Sequence, residues 1–113
     1  MSSKALIDKK CVPCEGGVPV LEASAAKELL SALHNDWNIS SDAKLIRRNF
    51  EFTNFHRTIS FVNAVAWIAN TEDHHPDLEV SYRNCAVNYS THAIGGLSEN
   101  DFICAAKIDR LLD

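Results

Sequence analysis

The sequence has no excess of positive charge, no long apolar run and no second copy of its one paired-cysteine motif, and each absence removes a class of function. Its 113 residues carry 11 Lys and Arg against 15 Asp and Glu, a formal net charge of −4, with a pI near 5.7. Capture of a nucleic-acid backbone needs a basic patch, and the local candidates, Lys9-Lys10 and Arg47-Arg48, are short. Alternation along a strand would also send Arg47 and Arg48 to opposite faces. No stretch approaches the ~18 consecutive apolar residues of a membrane helix, and Met1 to Lys10 lacks the apolar centre of a secretion signal. The default location is therefore the cytosol, where Cys11, Cys14, Cys85 and Cys104 are expected as free thiols. Cys11-Val12-Pro13-Cys14 has the spacing of half a zinc site or a redox motif. A closed zinc site takes four ligands and no second such pair follows, so a structural or incidental role is preferred. Internal repeats and low-complexity segments are absent.

What is present is a chain long enough for one core, with 46% hydrophobic residues, as expected of an ordinary globular domain. Pro13, Gly16, Gly17 and Pro19 punctuate residues 1–22, which read as an irregular arm before a single domain over 23–113. Ser24 can cap a helix over about 25–34, where Ala26, Leu29, Leu30 and Leu33 form an apolar stripe, with Trp37 one turn farther on. Asn38 to Asp42 looks like a turn between two short extended pieces. From Lys44 to Phe52 apolar and polar residues alternate as in a half-buried strand. Arg48 falls on its apolar face and is expected to reach the rim by its long stem.

Thr53 or Asn54 should cap a longer helix over about 55–70. Phe55, Ile59, Val62, Ala66 and Ala69 make one stripe there, widened by Phe61, Val65 and Ile68, and so broad a face should lie across a sheet. Two alternating runs, 77–82 and 85–90, joined at Arg83-Asn84, predict an antiparallel hairpin. Gly95-Gly96 makes the next turn. Ser98 with Asp101 three residues later resembles a capping box that opens a last helix through about Leu111. The order predicts an α+β fold, a two-layer sandwich with a small antiparallel sheet of about four strands covered on one face by about three helices.

Chemistry concentrates around His74-His75-Pro76 and Thr91-His92, which gather three of the five histidines into one short region. Imidazole, with an unperturbed pKa of about 6.5, both donates and accepts protons near neutral pH. The spacing from His74-His75-Pro76 through Tyr82 and His92 to Asp101 resembles that of the pterin-4a-carbinolamine dehydratases. The likeness continues in Asp77-Leu78-Glu79-Val80, in Ser90-Thr91-His92 and in Gly95 to Asp101. It extends back through the Phe50, Phe52 and Phe55 cluster and Trp37 to Gly16-Gly17-Val18-Pro19, covering almost the whole chain, with an arm of bacterial type.

The resemblance implies dehydration of a 4a-hydroxytetrahydropterin to quinonoid dihydropterin, with no cofactor and no covalent intermediate. It carries the catalytic histidines onto His74, His75 and His92. His74 and His92 take the acid-base roles, and His75 mainly binds and orients the pterin. Adjacent side chains at a helix-to-strand junction usually diverge, so only an irregular backbone would aim both His74 and His75 inward. Asn70, Asp73, Leu78, Glu79, Val80, Ser81, Ser90 and Thr91 are the candidate substrate-binding residues. Asp101 is read as a helix cap, with a role orienting a histidine as the alternative. The family usually has an ionisable residue, often Glu, where this chain has Asn70, and Asp73 or Glu72 could supply the carboxylate instead. Cys85 reads as a small strand residue, and His34 and His56 as structural or solvent-facing.

The same resemblance implies a homodimer or homotetramer and a functional link to phenylalanine hydroxylase, whose oxidised pterin the protein would recycle. Two rivals stand beside this reading. Three imidazoles and a water could hold zinc, although the His-Glu-x-x-His spacing that places two ligands on one helical face is absent. A non-enzymatic dimerisation module is the other, since animal members of the family also serve as cofactors of a homeodomain transcription factor.

Overall fold

The computed structural model of the protein describes residues 3–13 and 18–112. Cys14, Gly16 and Gly17 lie outside the described residues. The alternating segment forms strand β2, Ile46–Glu51, with Ile46, Arg48 and Phe50 buried and Arg47, Asn49 and Glu51 exposed. Around it assemble β1 (Asn38–Ile39), β3 (Asp77–Val80) and β4 (Asn84–Tyr89), in the antiparallel order β1-β2-β4-β3. Register pairs Ile46 with Tyr89, Arg48 with Val87 and Phe50 with Cys85, so the apolar members of both central strands share one face. That face meets a core with Phe61, Val65 and Ile68 of helix α3 (Phe55–Glu72) and Phe102, Ile103 and Ile108 of helix α4 (Glu99–Arg110). The result is the α+β sandwich that the order of elements predicts.

The opposite face is polar. Arg47 pairs with Glu79 and donates to Asn88 Oδ1 at 3.1 Å, and Asn49 donates to Asn84 Oδ1 at 3.1 Å. The remaining helices are α1 (Ser3–Ile7) and α2 (Ala23–Leu30), both packed against α4.

Several local expectations shift. Ser3–Ile7 are helical where an irregular arm was expected, because Leu6 is fully buried in the core, and burying that side chain offsets the cost of ordering a short helix. Helix α2 starts at Ala23 with Glu22 in the capping position, not Ser24, and no side chain caps it. Asn54 does cap α3, its side chain accepting from the Arg57 N–H at 2.9 Å. The buried face of α3 is Thr58, Phe61, Val65, Ile68 and Ala69. Phe55, expected in the stripe, is instead 46% exposed and stacks on Tyr82 at 5.9 Å. The helix is rotated this way because Phe61 meets both Phe50 of β2 and Phe52 just beyond its end, at 4.5 and 5.0 Å between ring centroids.

The hairpin turns at Tyr82-Arg83, one residue ahead of the expected place, closed by the Ser81 N–H to Asn84 O bond at 2.9 Å. Arg48 does not reach the rim. Its guanidinium lies over the Phe50 ring, 4.2 Å from the centroid, and donates to Asp109 Oδ1 at 2.7 Å. Asp109 also accepts from the Trp37 indole at 2.7 Å and from the His34 N–H at 3.1 Å, so a charge within the fold is paired rather than solvated.

Candidate active site at the end of helix α3

Helix α3 ends because Asp73 takes a left-handed conformation, φ 53°, with its N–H bonded to Ala69 O. This reversal separates the two adjacent histidines. His74 turns inward and is 7% exposed, while His75 stays exposed. Both nevertheless line one cleft of about 470 Å³ with Pro13, Asp73, Ser90, Thr91, His92 and Ala93. The irregular backbone needed to bring both side chains to one cleft is present at Asp73, and it gives the two rings different surroundings within a shared cavity.

Beneath the cleft lies a closed polar network. His74 Nε2 is 2.6 Å from Asp101 Oδ1. The other carboxylate oxygen accepts from the Ser98 N–H at 2.9 Å, completing the capping box that opens α4, and from the Thr91 hydroxyl at 2.8 Å. Thr91 Oγ1 is in turn 2.8 Å from Ser98 Oγ. A hydroxyl has one hydrogen to give, so with Thr91 donating to Asp101, Ser98 donates to Thr91. Asp101 thus holds both positions that sequence reasoning offered as alternatives, one oxygen serving the helix cap and the other His74.

Burial by itself would pull His74 down, but the hydrogen bond and charge of Asp101 outweigh it and hold the imidazole above its ordinary value of 6.5. Tyr89 stacks on the same ring, 5.4 Å away and within 10° of parallel, and its hydroxyl donates to His74 O at 3.2 Å. Burial pushes the Tyr89 phenol up, so it remains a donor. Sequence reasoning missed Tyr89 as a support for the site. Its position two residues before Thr91 on an alternating strand was the available signal.

The remaining candidates divide into those at the cleft and those away from it. His75 Nε2 lies 3.0 Å from Asn70 Oδ1, so Asn70 reaches the site through a histidine rather than by lining the cavity. His92 begins a short 3-10 turn, His92–Ile94. It is 78% exposed and its Nε2 is 3.9 Å from Asp77 Oδ2, a separation too long for a hydrogen bond. Thr91 is fixed by its N–H to Gly96 O bond at 2.8 Å, and Gly95, at φ 67°, supplies the reversal between them.

Leu78, Glu79, Val80 and Ser81, expected as a wall, do not line this cleft. Alternation sends Glu79 to the polar sheet face with Arg47 and Leu78 against the core. Val80 is 43% exposed on β3 at the sheet edge, and Ser81 belongs to the hairpin turn. Pro13 joins the cleft without any sequence signal.

Cys85 is buried, and burial pushes its thiol up to about 11. A somewhat larger depression of about 560 Å³ lies between α3 and the chain's last described residues, lined by Phe52, Arg57, Phe61, Leu111 and Leu112 among others. With His56 as its one imidazole, it lacks the clustered acid-base groups of the histidine cleft. Among the described residues no three His, Cys, Asp or Glu side chains converge as metal ligands, and no helix is long and apolar enough to cross a membrane.

Comparison with known proteins bears on the family and the fold. The profile of the family described as pterin 4 alpha carbinolamine dehydratase matches residues 19–111. A curated protein of Nitrosomonas eutropha is 57% identical over 107 residues, covering 95% of this chain and 93% of the relative. One from Legionella pneumophila is 53% identical, covering 95% of each. Both are provisionally named pterin-4-alpha-carbinolamine dehydratases.

Among solved structures, a transcriptional coactivator/pterin dehydratase from Brucella melitensis superposes with a TM-score of 0.79 at 29% identity, over 84% of this chain and all of that one. A pterin dehydratase-like protein described as a RuBisCO assembly factor in the alpha-carboxysome shares the fold, with a TM-score of 0.60 at 20% identity over 69% of this chain and 90% of that one. A profile spanning most of the chain, with relatives similar over nearly their full lengths, establishes that this chain belongs to the pterin 4 alpha carbinolamine dehydratase family.

Proposed function

We propose that the protein is a hydro-lyase that converts a 4a-hydroxytetrahydropterin to quinonoid dihydropterin and water by histidine general acid-base catalysis. The observation that carries this reading is the buried His74–Asp101 pair at the floor of a cleft shared with His75 and His92. Loss of water breaks the C4a–O bond, and hydroxide leaves only if it is protonated. His74, whose charged form Asp101 favours, donates that proton. His92, on the open side of the cleft, takes the proton lost from N5. His75, steadied by Asn70, orients the pterin ring, and Asp73, Ser90 and Thr91 complete the binding surface. No redox cofactor enters the balance, because the hydroxyl and the N5 proton leave together as water.

The physiological setting that fits this chemistry is recycling of the pterin of an aromatic amino acid hydroxylase such as phenylalanine hydroxylase, in the cytoplasm, by a homodimer or homotetramer. The test is the rate of carbinolamine dehydration, followed by ultraviolet absorbance in metal-free buffer. Wild type should accelerate the reaction strongly, and His74→Ala and His92→Ala should each lose about 10²-fold or more, the share expected of a general acid or base. A well-folded wild type that gives no acceleration would sink the reading. The Brucella melitensis protein is described as a transcriptional coactivator/pterin dehydratase, which motivates a second reading, a protein-contact role. That role would survive both histidine substitutions, whereas dehydration would not.

A further inference from the structure

The segment Cys11-Val12-Pro13 runs beside the histidine cleft as a strap, held at several points along its length. Cys11 N–H donates to Glu72 Oε1 at 2.8 Å, and Glu72 Oε2 accepts from Lys107 at 2.8 Å. Val12 exchanges two hydrogen bonds with the buried Asn100 side chain, N–H to Oδ1 at 3.1 Å and Nδ2 to Val12 O at 2.7 Å. Pro13 then forms part of the cleft wall.

Behind the strap, Cys11 Sγ lies 3.6 Å from Cys104 Sγ, across 93 residues of sequence. Cys104 is fully buried on α4 and sits 3.9 Å from His74 O, so this sulfur pair joins the strap to the backbone that carries the buried histidine. Cys11 is only half-buried and is the more exposed residue of the two.

We infer that Cys11 and Cys104 form a reversible disulfide that locks the strap in place beside the cleft. A disulfide bond is about 2.05 Å long, so the sulfurs need to approach by roughly 1.5 Å, a movement the half-buried strap can supply. Hydrogen peroxide is an oxidant that balances the step. Cys11 loses its thiol proton to water and attacks one peroxide oxygen as the thiolate, the O–O bond breaks, and the departing hydroxide takes up a proton and leaves as water, giving a sulfenic acid. The Cys104 sulfur then attacks Cys11 Sγ, the S–S bond forms, the S–O bond breaks, and hydroxide leaves as a second water. Two thiols lose two electrons and two protons, and one peroxide is reduced to two waters. Small-molecule dithiols reverse the reaction by thiol–disulfide exchange.

The experiment treats the full chain with stoichiometric hydrogen peroxide, blocks remaining thiols after unfolding, and cleaves after glutamate. Glu99 separates Cys85 from Cys104 in that digest, and Cys14→Ser, run beside wild type, separates Cys14 from Cys11. The expected result is loss of two hydrogens and a cross-linked pair of peptides carrying Cys11 and Cys104 in both proteins, abolished in Cys11→Ser. Closing so long a loop should also raise the thermal midpoint by on the order of 10 °C, reversed by dithiothreitol, and slow hydrogen exchange at the Cys11 and Val12 amides. Three outcomes would overturn the inference: a bond between Cys11 and Cys14 that vanishes in Cys14→Ser, a sulfenic or sulfinic acid that persists on Cys11 without cross-linking, or no oxidation. None of these readouts depends on turnover, so failure here is distinguishable from failure of the dehydratase reading.

Discussion

The two sides of the histidine cleft hold charge in opposite ways. On the inner side His74 meets Asp101 at 2.6 Å with side-chain exposures of 8% and 0%. On the outer side His92 and Asp77 stand 3.9 Å apart, each 78% exposed. Solvent screens the outer pair, so its partners interact weakly, whereas little water reaches the inner pair and each partner depends on the other. The same contrast recurs across the sheet, where Arg48 and Asp109 face the core and Arg47 and Glu79 face solvent. Charges of similar chemistry therefore act as fixed internal machinery on one face and as a replaceable surface on the other.

The largest way to break this contrast is to strip one partner from the interior. Asp109→Ala should destabilise the fold by about 3–5 kcal/mol, the cost of leaving a buried charge unpaired, since it orphans Arg48 and the Trp37 indole together. Denaturant unfolding measures this, and a loss no greater than that of a surface substitution would mean Arg48 escapes to water.

Asp101→Asn should cost roughly 1.5–3 kcal/mol near pH 6, the range for a hydrogen bond to a charged group, and it also tests the sign of a pH effect. His74 has a folded-state pKa above its ordinary 6.5. Its contribution to stability is fully present below the unfolded value and lost as pH rises through the folded value. Wild type should therefore lose stability from about pH 6.5 upward relative to Asp101→Asn, whose profile should be flatter. Parallel profiles would remove His74 from the account.

Asn70→Ala should leave stability nearly unchanged and raise the KM for the carbinolamine several-fold with little change in kcat, if His75 orients the ring as proposed. A matching fall in kcat alone would instead move His75 into proton transfer. The smallest effect is predicted on the outer face, where Glu79→Gln should not measurably shift the unfolding midpoint because its pair with Arg47 is solvent-screened.

How much could be read in advance follows the same division between local and distant contacts. The β2 alternation, the Asn54 cap and the Ser98-to-Asp101 capping box were legible because each depends on residues within a few positions of one another. The centre of the broad apolar face of α3 was not, since the Phe55-to-Ala69 stripe and the Phe61-to-Ile68 residues that widen it both satisfy helical spacing. Contact with Phe50 and Phe52 chooses between them. In the site, the cluster of His74, His75 and His92 was legible through its spacing. The sequence left Asn70 open between a pterin and a histidine as its partner, and the contribution of Pro13 and the withdrawal of Leu78 to Ser81 from the cleft wall were not legible.

By itself the sequence determined the helix caps, the alternating strands and the histidines available for proton chemistry, because these follow from periodicity and short-range hydrogen bonds. Only the tertiary structure decided which histidine is buried and which faces water. His74 meets Asp101 across 27 residues of chain, and the Cys11 and Cys104 sulfurs meet across 93. A group's proton affinity and reactivity are set by its neighbours in space, and packing alone brings those neighbours together.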